Sequence, residues 1–94
     1  MAKRRILKIH LEGGEKHEHI AKMIWADPDL ISDKYESTRA QIVTFVVNNP
    51  GKAYVYDAPT ETRVMVEVVK ANPPYVRTHR DGEWQDNLLN LPRY

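Results

Sequence analysis

Residues 54–92, YVYDAPTETRVMVEVVKANPPYVRTHRDGEWQDNLLNLP, constrain the fold of this chain more than any other stretch. Within it, residues 63–69 alternate: Val64, Val66 and Val68 share one side, and Met65, Glu67 and Val69 the other. A period of two carried by β-branched residues predicts a strand with one face buried. Residues 52–57 set Ala53 and Val55 opposite Tyr54 and Tyr56, and residues 75–79 give a third, short strand. Only turn-length links, Ala58-Pro59-Thr60-Glu61 and Ala71-Asn72-Pro73-Pro74, separate the three. Links this short join antiparallel neighbours, since a parallel pair needs a crossover of a dozen residues or more. Arg80-Asp81-Gly82 turns the chain again. Trp84, Leu88, Leu89 and Leu91 then anchor a closing tail turn, which Asp86 is placed to cap and Pro92 to end.

Upstream, residues 5–11 also alternate, with Leu7, Ile9 and Leu11 on the side of Arg5, and Ile6, Lys8 and His10 opposite. Gly13-Gly14 marks a turn. Residues 17–25, HEHIAKMIW, alternate poorly, as a strand does when both faces are covered or when it carries a bulge. These two segments are expected to form a hairpin. Residues 27–36 are acidic, hold Pro28 and read as a surface loop. Thr38 and Gln41 have the spacing of a capping box, with Ser37 as an alternative N-cap. Ile42, Phe45 and Val46 follow at i, i+3 and i+4. A helix over residues 37–48 is therefore predicted, ended by Asn48-Asn49-Pro50-Gly51. It is rich in β-branched residues, so packing rather than propensity must hold it. The fold expected is a single α+β domain over residues 1–94. It has a mainly antiparallel sheet of about five strands, in chain order β-β-α-β-β-β, with one packed helix.

Composition narrows the function classes. A chain of 94 residues with 41% hydrophobic and 29% charged side chains is rich enough to fold and has room for one core. Without cysteine there is no disulfide, thiolate zinc site or cysteine nucleophile. No apolar run approaches the ~20 residues of a membrane span, and no apolar segment follows the basic start. A cytoplasmic protein without a membrane partner is expected.

Several strings together resemble a known family. They are Gly13-Gly14 leading into His17-Glu18-His19-Ile20, Ser37-Thr38-Arg39, Gly51-Lys52-Ala53-Tyr54-Val55, Tyr75-Val76-Arg77-Thr78, and Asp86-Asn87-Leu88-Leu89-x-Leu91-Pro92. In this order the chain resembles a bacterial family of small proteins, domain of unknown function 3892. The resemblance implies no activity, cofactor or catalytic residue. The acidic stretch 27–36 and Asn49-Pro50 depart from the family's pattern.

Four groups of residues bear on chemistry. Lys3, Arg4, Arg5 and Lys8 give +4 in the first ten residues. With Arg77 and Arg80 they are candidates for phosphate contacts, and Tyr75 and Trp84 offer stacking surfaces. The bland reading is a solubility fringe and edge charges. On a strand, His17 and His19 would point to one side and would ligate zinc with Glu15 or His79 as a third ligand; a histidine pair bonded to nearby backbone or carboxylates is the simpler account. Among Arg77, Thr78, Asp86 and Asn87, a charge-assisted pair of Arg77 with Asp86 and an Asn87 amide bonded to strand or loop backbone suit a polar latch beside Leu88, Leu89 and Leu91. Asp81, Glu83, Asp86 and His79 crowd one segment, but no nucleophile elbow, P-loop or dinucleotide glycine string is present. The function expected is a non-catalytic interaction module that binds a protein partner or itself. Nucleic-acid binding is the first alternative, and histidine-based metal binding the second. No cofactor is expected.

Overall fold

A computed structural model describes residues 3–94. Seven strands form one sheet: β1 (Arg4–Leu11), β2 (Ile20–Ala26), β3 (Lys34–Thr38), β4 (Ala53–Asp57), β5 (Thr62–Val69), β6 (Tyr75–Arg80) and β7 (Glu83–Gln85). Their order in space is β3-β2-β1-β4-β5-β6-β7. The helix α1 (Arg39–Asn48) connects β3 to β4, and a 3₁₀ turn (His17–His19) precedes β2. The α+β reading holds, but the sheet has seven strands rather than about five.

The two added strands have physical explanations. β3 lies in and just beyond the segment read as an acidic loop. It pairs along its length with β2, from Lys22↔Thr38 to Ala26↔Lys34. Only Ser37 of its five residues is buried, so no hydrophobic alternation marks it. β7 is three residues long and pairs Thr78↔Gln85 to Arg80↔Glu83. It holds Trp84, which is exposed and sets its ring edge-on to His79 at 4.8 Å instead of anchoring the tail.

Among the described residues the strands pair antiparallel except at the centre, and the isolated Ile9↔Arg93 bridge of the tail is also parallel. β1 and β4 run parallel, with Arg4 opposite Ala53 and Arg5 opposite Tyr54. This seam joins the β1-β2-β3 meander to the β4–β7 meander. It is short, and farther along β1 the C-terminal tail takes over the same edge. The Ile9 N–H donates to the Pro92 carbonyl at 3.0 Å, and the Tyr94 N–H to the Ile9 carbonyl at 3.1 Å.

Register corrects the simple alternation of the first hairpin. Leu7 is extra in β1 between Ile6↔Trp25 and Lys8↔Ile24, and Ala21 is extra in β2 between Lys22 and Ile20. Such bulges shift side-chain parity. Ile6 and Ile9, three apart, are consequently both buried, as are Ile20 and Met23. The helix lies across this same face. Ile42, Phe45 and Val46 complete a core with Ala53, Val55, Val66, Val76 and Leu88. Thr38 caps the helix: its Oγ1 accepts from the Gln41 N–H at 3.2 Å, and the Gln41 Oε1 accepts from the Thr38 N–H at 2.9 Å.

Candidate functional site

Neighbouring basic residues of β1 go to opposite faces of the sheet. Arg4 points to the helix side. Its guanidinium carbon lies 4.0 Å from the Trp25 ring centroid and 3.9 Å from that of Phe45. Arg5 lies 5.1 Å from the Tyr56 ring centroid, on the face away from the helix. Directly opposed residues share a face. The register therefore collects Arg5, Lys8, Lys22 and Lys34 on that outer face, together with Glu36. Arg63, 4.7 Å from the Tyr54 ring centroid, continues it on β5. Of the predicted phosphate contacts, Arg5 and Lys8 belong to this surface and Arg4 does not. Arg80 donates to the Thr62 hydroxyl. Lys3 precedes β1 and is half-buried.

Arg4 also lines a cavity of about 530 Å³ beside the helix, with Ser37, Gln41, Thr44, Phe45 and Asn48 among its walls. Burial lowers the Arg4 pKa from its ordinary value. Among the described residues, no carboxylate lines the cavity or lies within ion-pair distance of Arg4. The Trp25 Nε1 donates to the Ser37 Oγ at 2.8 Å, and the Trp25 ring stacks on Tyr35 at 4.8 Å.

β3 ends the sheet, so its outer edge presents unpaired backbone N–H and C=O groups. Lys34, Tyr35 and Glu36 are all exposed. Tyr35 lies on the helix face against Trp25, whereas Glu36 lies on the outer face and accepts from the Tyr94 hydroxyl at 2.9 Å. Burial and that bond push the Tyr94 pKa up to about 12. Sequence reasoning missed this edge. Its one signal was the β-compatible run Tyr35, Ser37, Thr38 behind the Asp27-Pro28 turn.

His17-Glu18-His19 forms the 3₁₀ turn and not the start of a strand. This removes the premise that set both imidazoles on one side. His17 is buried, with its Nε2 3.9 Å from the Asp86 Oδ1 and without a hydrogen bond. His19 turns back on the loop, where its Nδ1 accepts from the Lys16 N–H at 3.2 Å. Among the described residues no group of three or more His, Asp or Glu is arranged to hold a metal ion.

The tail is tied down through Arg77. Its Nη2 donates to the Asp86 Oδ1 at 2.8 Å and its Nε to the Gln85 carbonyl at 3.0 Å. The Asp86 carboxylate is thus engaged by Arg77, and the turn is closed by the Asp86 carbonyl accepting from the Asn90 N–H at 3.1 Å. Thr78 is fully buried and donates to the Asn87 Oδ1 at 3.4 Å, a long bond. Leu88 is fully buried, and Leu89 and Leu91 pack partly buried against the core.

A family model described as "Protein of unknown function (DUF3892)" matches residues 5–92. The chain belongs to this family. The match takes in β1 from Arg5 onward, the helix, all of the β4–β7 meander and the tail latch, so all of the sheet but Arg4 lies within the DUF3892 region. No curated protein and no solved structure matches the chain. Among the described residues no helix is long and apolar enough to cross a membrane.

Proposed function

We propose that this protein is a non-catalytic interaction module that self-associates through the outer edge of β3. The observation that carries the reading is that this uncovered edge has a self-complementary sequence, Lys34-Tyr35-Glu36. Exposed edges recruit further strands unless something blocks them. In an antiparallel pair of β3 strands related by a two-fold axis at Tyr35, Lys34 of each copy meets Glu36 of the other. The two Tyr35 rings meet on the opposite face. An isologous contact of this kind uses one patch twice and closes as a dimer. Each cross-strand pair of opposite charge contributes about 0.2–1 kcal/mol, and like charges placed opposite destabilise by similar amounts.

Sedimentation equilibrium over a wide concentration range tests this. A reversible dimer is expected. Lys34→Glu sets Glu against Glu twice and weakens the dimer by on the order of tenfold or more. Adding Glu36→Lys restores complementarity and the dimer with it. A chain that stays monomeric throughout sinks the reading, as does a dimer indifferent to both changes.

One observation favours a second reading, nucleic-acid binding. The outer face gathers Arg5, Lys8, Lys22, Lys34 and Arg63, with the exposed ring of Tyr56 among them. Cations with interleaved aromatics suit an unpaired strand, whose phosphates they neutralise and whose bases they stack upon.

A further inference from the structure

We propose that the cavity beside α1 is a binding site for a small ligand that carries an oxyanion, either carboxylate or phosphate, received on the edge of the Arg4 guanidinium. The guanidinium carbon lies 4.0 Å from the Trp25 ring centroid and 3.9 Å from that of Phe45. The guanidinium N–H donors, the groups that grip an oxyanion with two parallel bonds, make no hydrogen bond among the described residues. Arg39, Arg77, Arg80 and Arg93 each donate to a protein acceptor. The Arg4 side chain is partly desolvated, and among the described residues nothing accepts from its guanidinium. An arginine keeps its proton at physiological pH, so the cavity wall holds an uncompensated cation.

The rest of the lining suits the same ligand. The Ser37 oxygen accepts from Trp25, which leaves the hydroxyl proton free to donate. The Gln41 Oε1 accepts from the Thr38 N–H, leaving its NH2 as a donor. Thr44 and Asn48 add polar groups at the exposed rim. The site is therefore rich in donors and, among the described residues, free of carboxylates. Its volume of about 530 Å³ falls in the range of small-molecule pockets, roughly 300–1,000 Å³. A structural role for Arg4, packing against two rings, accounts for those contacts but leaves the guanidinium donors unused. The site is distinct from the dimer contact, because none of Lys34, Tyr35 and Glu36 lines the cavity.

The test is an amide and arginine-side-chain ¹H–¹⁵N spectrum titrated separately with succinate and with inorganic phosphate, at ionic strength held constant with chloride. Saturable shifts confined to the Arg4 Nε–H and the amides of Ser37, Gln41 and Thr44 are expected. A response to succinate alone identifies a carboxylate ligand, to phosphate alone a phosphate ligand, and to both a general oxyanion site. Asn48→Asp, an exposed rim change, should weaken binding several-fold through like charge. Arg4→Lys, which keeps the charge but loses the fork, should weaken it about tenfold. The proposal is overturned if neither probe shifts these resonances by about 10 mM, ten times a millimolar Kd. Shifts that persist undiminished in both variants overturn it equally.

Discussion

His17 is buried, and its Nε2 has no hydrogen bond. Burial lowers its pKa, the Arg77 guanidinium lowers it further, and the charges of Asp86 and Glu18 act the other way. An unfolded histidine titrates near 6.5, so the unfolded chain takes up a proton at a higher pH than the folded one. The stability due to a neutral His17 is complete above about pH 6.5. It declines as pH falls from there toward the lower folded value, by at most about 1.4 kcal/mol per pH unit. Urea melts at about pH 7.5 and about pH 5.5 should show a loss that His17→Gln reduces; equal losses in both chains would refute the assignment. The same turn explains Gly14. The His19 imidazole sits 2.5–2.7 Å from where a Gly14 Cβ would be, so a side chain at this position has to push the His19 ring aside. Neither fact was legible in the sequence, because an H-x-H string looks the same whether its backbone is strand or 3₁₀ turn.

Local signals served well at the scale of elements. Thr38 and Gln41 cap the helix with the reciprocal bonds their spacing implies, and the β4–β5–β6 hairpins follow the period-two pattern of their valines. β3 failed to show itself because a solvent-facing edge strand buries too little to impose a pattern. The tail behaves as an eighth partner for the sheet. Its Pro92 carbonyl and Tyr94 N–H both bond Ile9, on the stretch of β1 that β4 leaves open. Removing Pro92, Arg93 and Tyr94 should therefore leave the core folded, since Leu88 stays in place. It should speed amide exchange at Ile9 well beyond that at residues of β5. Uniform exchange across the sheet after truncation would show that the tail stabilises nothing locally.

Across the whole molecule, charge is sorted by the sheet. A net charge of +1 conceals an outer face where Arg5, Lys8, Lys22, Lys34 and Arg63 face Glu36 and Glu67. The acidic residues Asp27, Asp29 and Asp33 lie in the loop before β3. Long-range attraction of a polyanion depends on this arrangement rather than on the total. If the outer face takes an unpaired strand, binding of a short single-stranded oligonucleotide should fall steeply with salt, at a log–log slope of about −0.7 per phosphate contact. The Lys8→Glu variant should lower both the affinity and that slope. An affinity unmoved by salt, or no binding at low salt, would remove the second reading and leave the β3 edge. Dimerisation through that edge would place two such faces side by side.

The residues by themselves determined whatever depends on near neighbours along the chain: the capped helix, the hairpin turns, the valine-rich strands and the leucines that close the tail. These follow from steric limits on φ and ψ and from burial periodicities, which operate over a few residues. The tertiary structure alone decided the parallel β1–β4 seam, the docking of the tail on Ile9 and the placing of Arg4 against Trp25 and Phe45. Each of these joins segments about 20 to 85 residues apart, and it is stable only because one shared core pays the entropy of bringing them together.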